Sequence, residues 1–218
     1  KSKLTSIWNY EKQTSPFTRG EYIYYYRNDG LQNQYVVYRK KDNLNSSEEV
    51  FLDPNKFSED GTISLTGLYF SENGKLISYT ISEGGSDWRK AIVMDTETKQ
   101  IIGDTLTNIK FSGISWSGNK GFYYSSYDKP EGSELSEYTD RHKLYYHELN
   151  TDQKLDKIVF GDQREKYRYV SGNVSDDNNF LFISASNLTD GNELYMIDLR
   201  KNSNRIRTIS DDPSTDDY

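Results

Sequence analysis

The chain has no cysteine, which excludes disulfides, zinc ribbons and thiol nucleophiles together and leaves packing and strand pairing to hold the fold. Histidine is nearly absent. His142 and His147 are five residues apart on one expected strand, where odd spacing directs side chains to opposite faces. They cannot chelate one metal, and each reads as a surface or sheet-packing residue. Neither H-E-x-x-H nor an EF-hand loop occurs, so no metal or other cofactor is expected. Methionine occurs only twice, and alanine and leucine are sparse, which argues against a helical protein. No apolar run approaches the roughly 18 residues of a membrane-spanning helix, and KSKLTSIWNY at the start is not a signal peptide. No membrane partner is expected, and the compartment stays open between cytoplasm and periplasm.

Positive charge is also in deficit. The 27 Lys and Arg are outnumbered by 34 Asp and Glu, giving a net charge of -7, and the cations are scattered rather than striped. Such a surface repels a phosphate backbone, so nucleic acid is excluded as a partner. Only 33% of the 218 residues are hydrophobic even with 19 Tyr included. Tyr buries its ring while its hydroxyl reaches a partner or water, which suits stacked sheets with thin cores.

What the chain does contain is a repeated unit, most complete at 66–100. Strand-like GLYF (67–70) meets a turn at 71–74, a second run follows at 76–82, and a Gly/Ser/Asp break leads to a third at 90–95. The unit returns as GISWSGNKGFYYSSYD (113–128) and GNVSDDNNFLFISAS (172–186), with a looser copy, FTRGEYIYYYRND, at 17–29. The apolar residues before the turns, Phe17, Phe70, Trp116 and Val174, are 53, 46 and 58 residues apart, a period that suits propeller blades. Third strands recur at 33–42, 89–100, 142–153 and 192–203, each running into a polar turn. The expected fold is therefore all-β: about four four-stranded antiparallel blades, at about 16–60, 61–108, 109–162 and 163–210. Residues 1–15 form an extended lead-in with Trp8 as an anchor, and 211–218 an acidic tail. The longest irregular segment, 127–142, is a solvated rim excursion rich in turn formers and acids.

Chemistry is hard to place in this pattern. No G-x-S-x-G elbow occurs, and GISWSG (113–118) puts Ser115 inside a repeat strand. Glu59, Asp60, Glu72, Asp176 and Asp177 fall in strand-joining turns, where short acids favour tight bends. EGGSDWRK (83–90) stands apart, because two glycines free the backbone before an acid and a large aromatic, Asp87 and Trp88, at a blade rim. Phe111 and Trp116, at strand starts, are either inter-blade packing or a contact surface.

The segments GLQNQ (30–34), VFLDPN (50–55), SEDGTISL (58–65), FSENG (70–74), GSDW (85–88), KFSGISW (110–116) and KLYYHELNTDQ (143–153) resemble, in order and spacing, the propeller of the prolyl oligopeptidase family. The resemblance spans roughly 8–199. It implies a fragment of a seven-bladed propeller that gates short peptides into an α/β-hydrolase domain with a Ser, Asp, His triad, and no triad residue matches within this chain. It implies further that Asp87 faces a substrate-binding arginine across the domain interface, with Trp88 beside it, and that Phe111 lines the pocket for a residue upstream of proline. Tyr169 stands where animal members have methionine in that pocket, and Thr189 where they have cysteine, so pocket shape and thiol sensitivity do not transfer. The implied partners are the hydrolase domain and short proline-containing peptides. The alternative is a non-enzymatic propeller that binds a peptide or protein on its loop face. A partial ring also leaves blade faces uncovered, so the isolated chain is expected to self-associate.

Overall fold

Each repeat folds into one antiparallel sheet. The computed structural model describes residues 2–43, 45–103, 105–128, 141–161, 167–187, 191–201 and 205–212. After a short helix, α1 (Ser2–Trp8), the first sheet contains β1 (Lys12–Gln13), β2 (Phe17–Arg19), β3 (Tyr22–Asn28), β4 (Val36–Lys41) and β5 (Glu49–Leu52). The second holds β6 (Ile63–Phe70), β7 (Leu76–Glu83), β8 (Trp88–Asp95) and β9 (Leu106–Lys110). The third comprises β10 (Ile114–Ser117), β11 (Gly121–Ser126), β12 (Lys143–Glu148) and β13 (Lys157–Phe160), and the fourth β14 (Tyr169–Val174), β15 (Phe180–Ser186), β16 (Glu193–Asp198) and β17 (Ile206–Ser210). In the last three sheets the strands pair in simple sequence order, the up-and-down connectivity expected from the repeat.

The first sheet differs at its inner edge. β1 and β2 both pair with β3, Lys12 opposite Asn28 and Phe17 opposite Tyr24, so the inner strand is made in two pieces. Ser15 and Pro16 lie between them, and Pro16 has no amide to give to the ladder. The first 15 residues are thus not an extended lead-in, because 2–8 are helical and 12–13 already belong to the sheet. Trp8 is no anchor: it is 59% exposed, with only the Lys12 ammonium 4.7 Å from its ring centre.

Three apolar clusters glue successive sheets face to face. Tyr24, Val37 and Phe51 meet Ile77 and Tyr79; Ala91, Leu106 and Ile109 meet Trp116 and Phe122; Tyr123, Leu144 and Phe160 meet Leu181 and Ile183. The second strands β7 and β11 are consequently buried on both faces. Small polar residues make that possible. On β7, Ser78 and Thr80 alternate with Ile77 and Tyr79, and Thr80 satisfies its hydroxyl at 2.8 Å from Thr66. Burying rings on one face and hydroxyls on the other explains how so thin a hydrophobic supply fills the interior.

Polar side chains fasten the same seams. Arg39, 2% exposed, lies on β4 of the first sheet. It pairs with Glu49 at 2.7 Å, donates to the carbonyls of Thr96 and Glu97 in the second sheet's β8–β9 connection, and stacks on Tyr22 and Phe51. Gln34 bridges the same two sheets, accepting from the Leu65 amide at 3.0 Å and donating to the Ile63 carbonyl at 2.8 Å. Between the third and second, Gln153 holds both the amide and the carbonyl of Thr107 at 2.9 Å.

The strand order fixes two rims. On one, short inner turns interlock: Gly118 N–H donates to Asn178 Oδ1 at 2.7 Å, and Gly20 sits against Gly74. A Cβ on Gly74 would lie 2.5 Å from the Gly20 nitrogen, and its φ of +68° is in any case left-handed, so only glycine fits there. The other rim carries the connections β3–β4, β7–β8, β11–β12 and β15–β16, with the crossovers between sheets.

Candidate peptide-facing rim

The residues singled out in the sequence converge on that second rim. Asp87 and Trp88 end the β7–β8 connection, Phe111 follows β9, and Tyr169 opens β14. Thr189, in the β15–β16 connection, lies outside the described residues, as do 129–140 of the irregular segment and 213–218 of the tail.

Register makes the first contact. Trp88 pairs with Lys110 across β8 and β9, and the Lys110 ammonium lies 4.9 Å from the Trp88 ring and 5.3 Å from that of Phe111. Trp88 itself is buried, whereas Asp87 is exposed with no ionic or hydrogen-bond partner among the described residues. Of that pair, only the acid is presented at the surface. Phe111 is 45% exposed, and its φ of +48° is a left-handed conformation that costs a bulky residue about 1 kcal/mol or more. Its ring stands edge-on to Tyr127 at 6.2 Å and to Tyr169 at 6.0 Å. Arg168 then covers Tyr169 at 5.3 Å. The result is a continuous row: Trp88, Lys110, Phe111, Tyr169, Arg168.

One buried histidine underpins the row. His142 is fully buried and stacks on Tyr127 at 4.3 Å. The Val170 amide donates to its Nδ1 at 2.8 Å, so Nε2 carries the proton and donates to the Lys110 carbonyl at 2.9 Å. One neutral imidazole therefore ties the second, third and fourth sheets immediately beneath Phe111 and Tyr169. Burial pushes its pKa down to about 4, the carbonyl contact opposing only part of that shift. Sequence reading treated His142 as a surface or packing residue; it packs, and it also positions. Its partner Tyr127 was missed altogether. The two bound the 127–142 excursion, and Lys143 paired to Asp128 at 2.7 Å closes the same neck, so that segment leaves from and returns to one fixed point.

His147 stands apart. It is buried on β12, where Asp156 accepts at 2.8 Å from its Nδ1 and also from the Tyr124 hydroxyl. Neither histidine is a surface residue, and they share no partner. Ser115, the residue nearest to a nucleophile pattern, accepts from the Val174 amide at 2.8 Å and joins two inner strands. Asp60 and Asp177 accept from their own turns, as short acids do. Trp116 fills the seam between sheets, its indole N–H donating to the Tyr69 carbonyl at 2.8 Å. Among the described residues no three His, Asp or Glu side chains gather as a metal site.

The repeat anchors Phe17, Phe70, Trp116 and Val174 also meet, lining an axial cleft of about 790 Å³ along the inner strands. Meander sheets packed face to face around such a cleft, with Phe111 and its neighbours on one rim, define a β-propeller with a rim suited to meeting another surface. A sequence model described as "Prolyl oligopeptidase, N-terminal beta-propeller domain" matches residues 1–218, and the chain belongs to that family. It is 53% identical over 211 residues to a prolyl endopeptidase of Elizabethkingia miricola and 52% identical to one of Elizabethkingia meningoseptica, covering 96% of this chain and 30% of each relative. Among solved structures, prolyl oligopeptidase B of Galerina marginata bound to a 25mer macrocyclization substrate superposes with a TM-score of 0.86 at 26% identity, over 97% of this chain and 33% of that one. The chain thus spans about a third of the proteins it resembles.

Proposed function

We propose that this chain is the substrate-gating propeller portion of a serine-type prolyl endopeptidase that cleaves short peptides after proline. The single observation that carries the reading is the pair of exposed Phe111 and half-buried Tyr169, on the same rim as Asp87, which has no partner among the described residues, in a propeller whose relatives are prolyl endopeptidases. In this reading Phe111, Tyr169 and Thr189 line the pocket for a residue upstream of proline. Asp87, with Trp88 behind it, faces an arginine of the hydrolase domain, an ion pair that would fix the docking register of the two domains. The nucleophile, its histidine and its acid come from that domain, and the propeller chain alone is inactive. No observation favours the non-enzymatic scaffold over this assignment.

Phe111→Ala in the intact enzyme tests the pocket. Losing a half-exposed ring from a substrate contact is expected to raise KM for a proline peptide about fivefold to thirtyfold, with a smaller change in kcat. Unchanged kinetics would remove Phe111 from the pocket.

The isolated chain is also proposed to self-associate. Phe182 is 37% exposed and lies next to Phe180, itself partly covered by Arg200, on the face of the fourth sheet turned away from the third, against which no other described sheet packs. A concentration series by sedimentation velocity is expected to show dimers or larger species, and a single monomeric boundary at about 100 μM would contradict it.

A further inference from the structure

Two cations of the row stand without a carboxylate partner among the described residues. Lys110 and Arg168 make no ion pair among the described residues, whereas the half-buried Lys90 and Lys99 are paired with Glu83 and Glu49. Each instead rests on a ring: Lys110 between Trp88 and Phe111, Arg168 against Tyr169. Since Phe111 and Tyr169 touch each other, the two positive charges flank one partly exposed aromatic pair. A cation held over a ring keeps its outer hydration face open, so its charge is available to a second ligand.

Position strengthens the argument. The Lys110 backbone is held by His142 through its carbonyl, and the chain beside Arg168 is held because the Arg168 carbonyl accepts from the Tyr127 hydroxyl. Both charges therefore project from fixed backbone rather than from mobile loops, at opposite ends of one aromatic pair. An anion lying across the rings would meet a donor on either side, and Arg168 offers a planar fork that suits a carboxylate.

We propose that Lys110 and Arg168 form a carboxylate-reading subsite that makes the enzyme prefer proline peptides bearing an acidic side chain upstream of the residue seated on Phe111 and Tyr169. This rests on the peptidase reading above and adds to it a substrate class. The pairing discriminates by charge: a Glu gains two charge-assisted contacts, whereas its Gln isostere gains weaker ones and a Lys is repelled.

The test uses the intact enzyme and two proline peptides that differ only by Glu or Gln at the upstream position. At low ionic strength the Glu-to-Gln ratio of kcat/KM is expected to exceed one, to fall about threefold in Lys110→Gln or Arg168→Gln, and to fall roughly tenfold in the double variant. Lys110→Arg is expected to keep the ratio near its original value, which loss of structure would not do. Salt at about 0.5 M is expected to compress the ratio toward one in the unmodified enzyme. A ratio that the double variant leaves unchanged overturns the subsite while the peptidase reading stands; absence of cleavage of either peptide overturns both.

Discussion

Arg39→Ala is expected to cost the folded chain about 3 kcal/mol or more, because it leaves three groups without their partner at once. Arg39 has the largest fully buried side chain among the described residues, and it reaches from β4 across to Thr96 and Glu97 in the neighbouring sheet. Without it the two carbonyls lose their donor, Tyr22 and Phe51 face a cavity, and Glu49 keeps only Lys99, at 2.8 Å. Lysine is not a substitute, since an ammonium cannot bond in three directions while lying flat on two rings. Urea unfolding followed by tyrosine and tryptophan fluorescence reads the effect as a lowered midpoint. A loss below 1 kcal/mol would mean that the seam between the first two sheets is held by its apolar cluster alone.

The second large effect is a pH dependence set by His142. Its folded pKa of about 4 lies below the ordinary histidine value of 6.5, so protons bind the unfolded chain more readily than the native one. The stabilisation is fully present above about pH 6.5 and is lost as pH falls toward 4, by about 3 kcal/mol in total. Protonation is costly there because the added proton falls on Nδ1, the atom that accepts from the Val170 amide. The expected result is a urea midpoint that drops between pH 7 and pH 4.5, with a smaller drop in His142→Gln after its lower starting stability is taken into account. Identical slopes in the two proteins would show that carboxylates alone drive acid unfolding. The same variant is expected to loosen Phe111 and Tyr169, since Lys110 and Val170 lose their common bridge.

Much of the fold could be read directly because a propeller is a local structure repeated. Each blade pairs neighbouring strands through short turns, so turn residues such as Asn73 and Gly74, and anchors such as Phe70 and Trp116, carry their signal within one repeat. The anchors proved to share one axial cleft, which is what equal positions in equal blades must do. The start of the chain was misread for the opposite reason. A two-residue strand, β1, has too little pattern to announce itself, and its place is set by Asn28 and Arg27 on β3. The helix of 2–8 likewise has no acidic residue in its first turn and no basic one in its last to mark its ends.

For the candidate rim, Asp87 and Phe111 stood out in the sequence itself and were given roles only through resemblance, Tyr169 came from resemblance alone, and the cluster they join was not visible. Lys110, the Tyr127 and His142 pair that bounds the β11–β12 connection, and Arg168 come from three separate places in the chain, and nothing in their spacing relates them.

By itself, then, the amino-acid sequence determined the blade unit, its repetition and the family, because these rest on alternation, turn chemistry and ordered motifs that act over a few residues. Tertiary structure alone decided which cations are spent and which stay open. Arg39 and Lys110 are both plain cations in strand segments of the sequence, yet stacking of the sheets buries one between two blades and leaves the other on a rim over aromatic rings. The physical reason is that a charge takes its role from the groups that surround it in space, and in a propeller those groups come from the next blade.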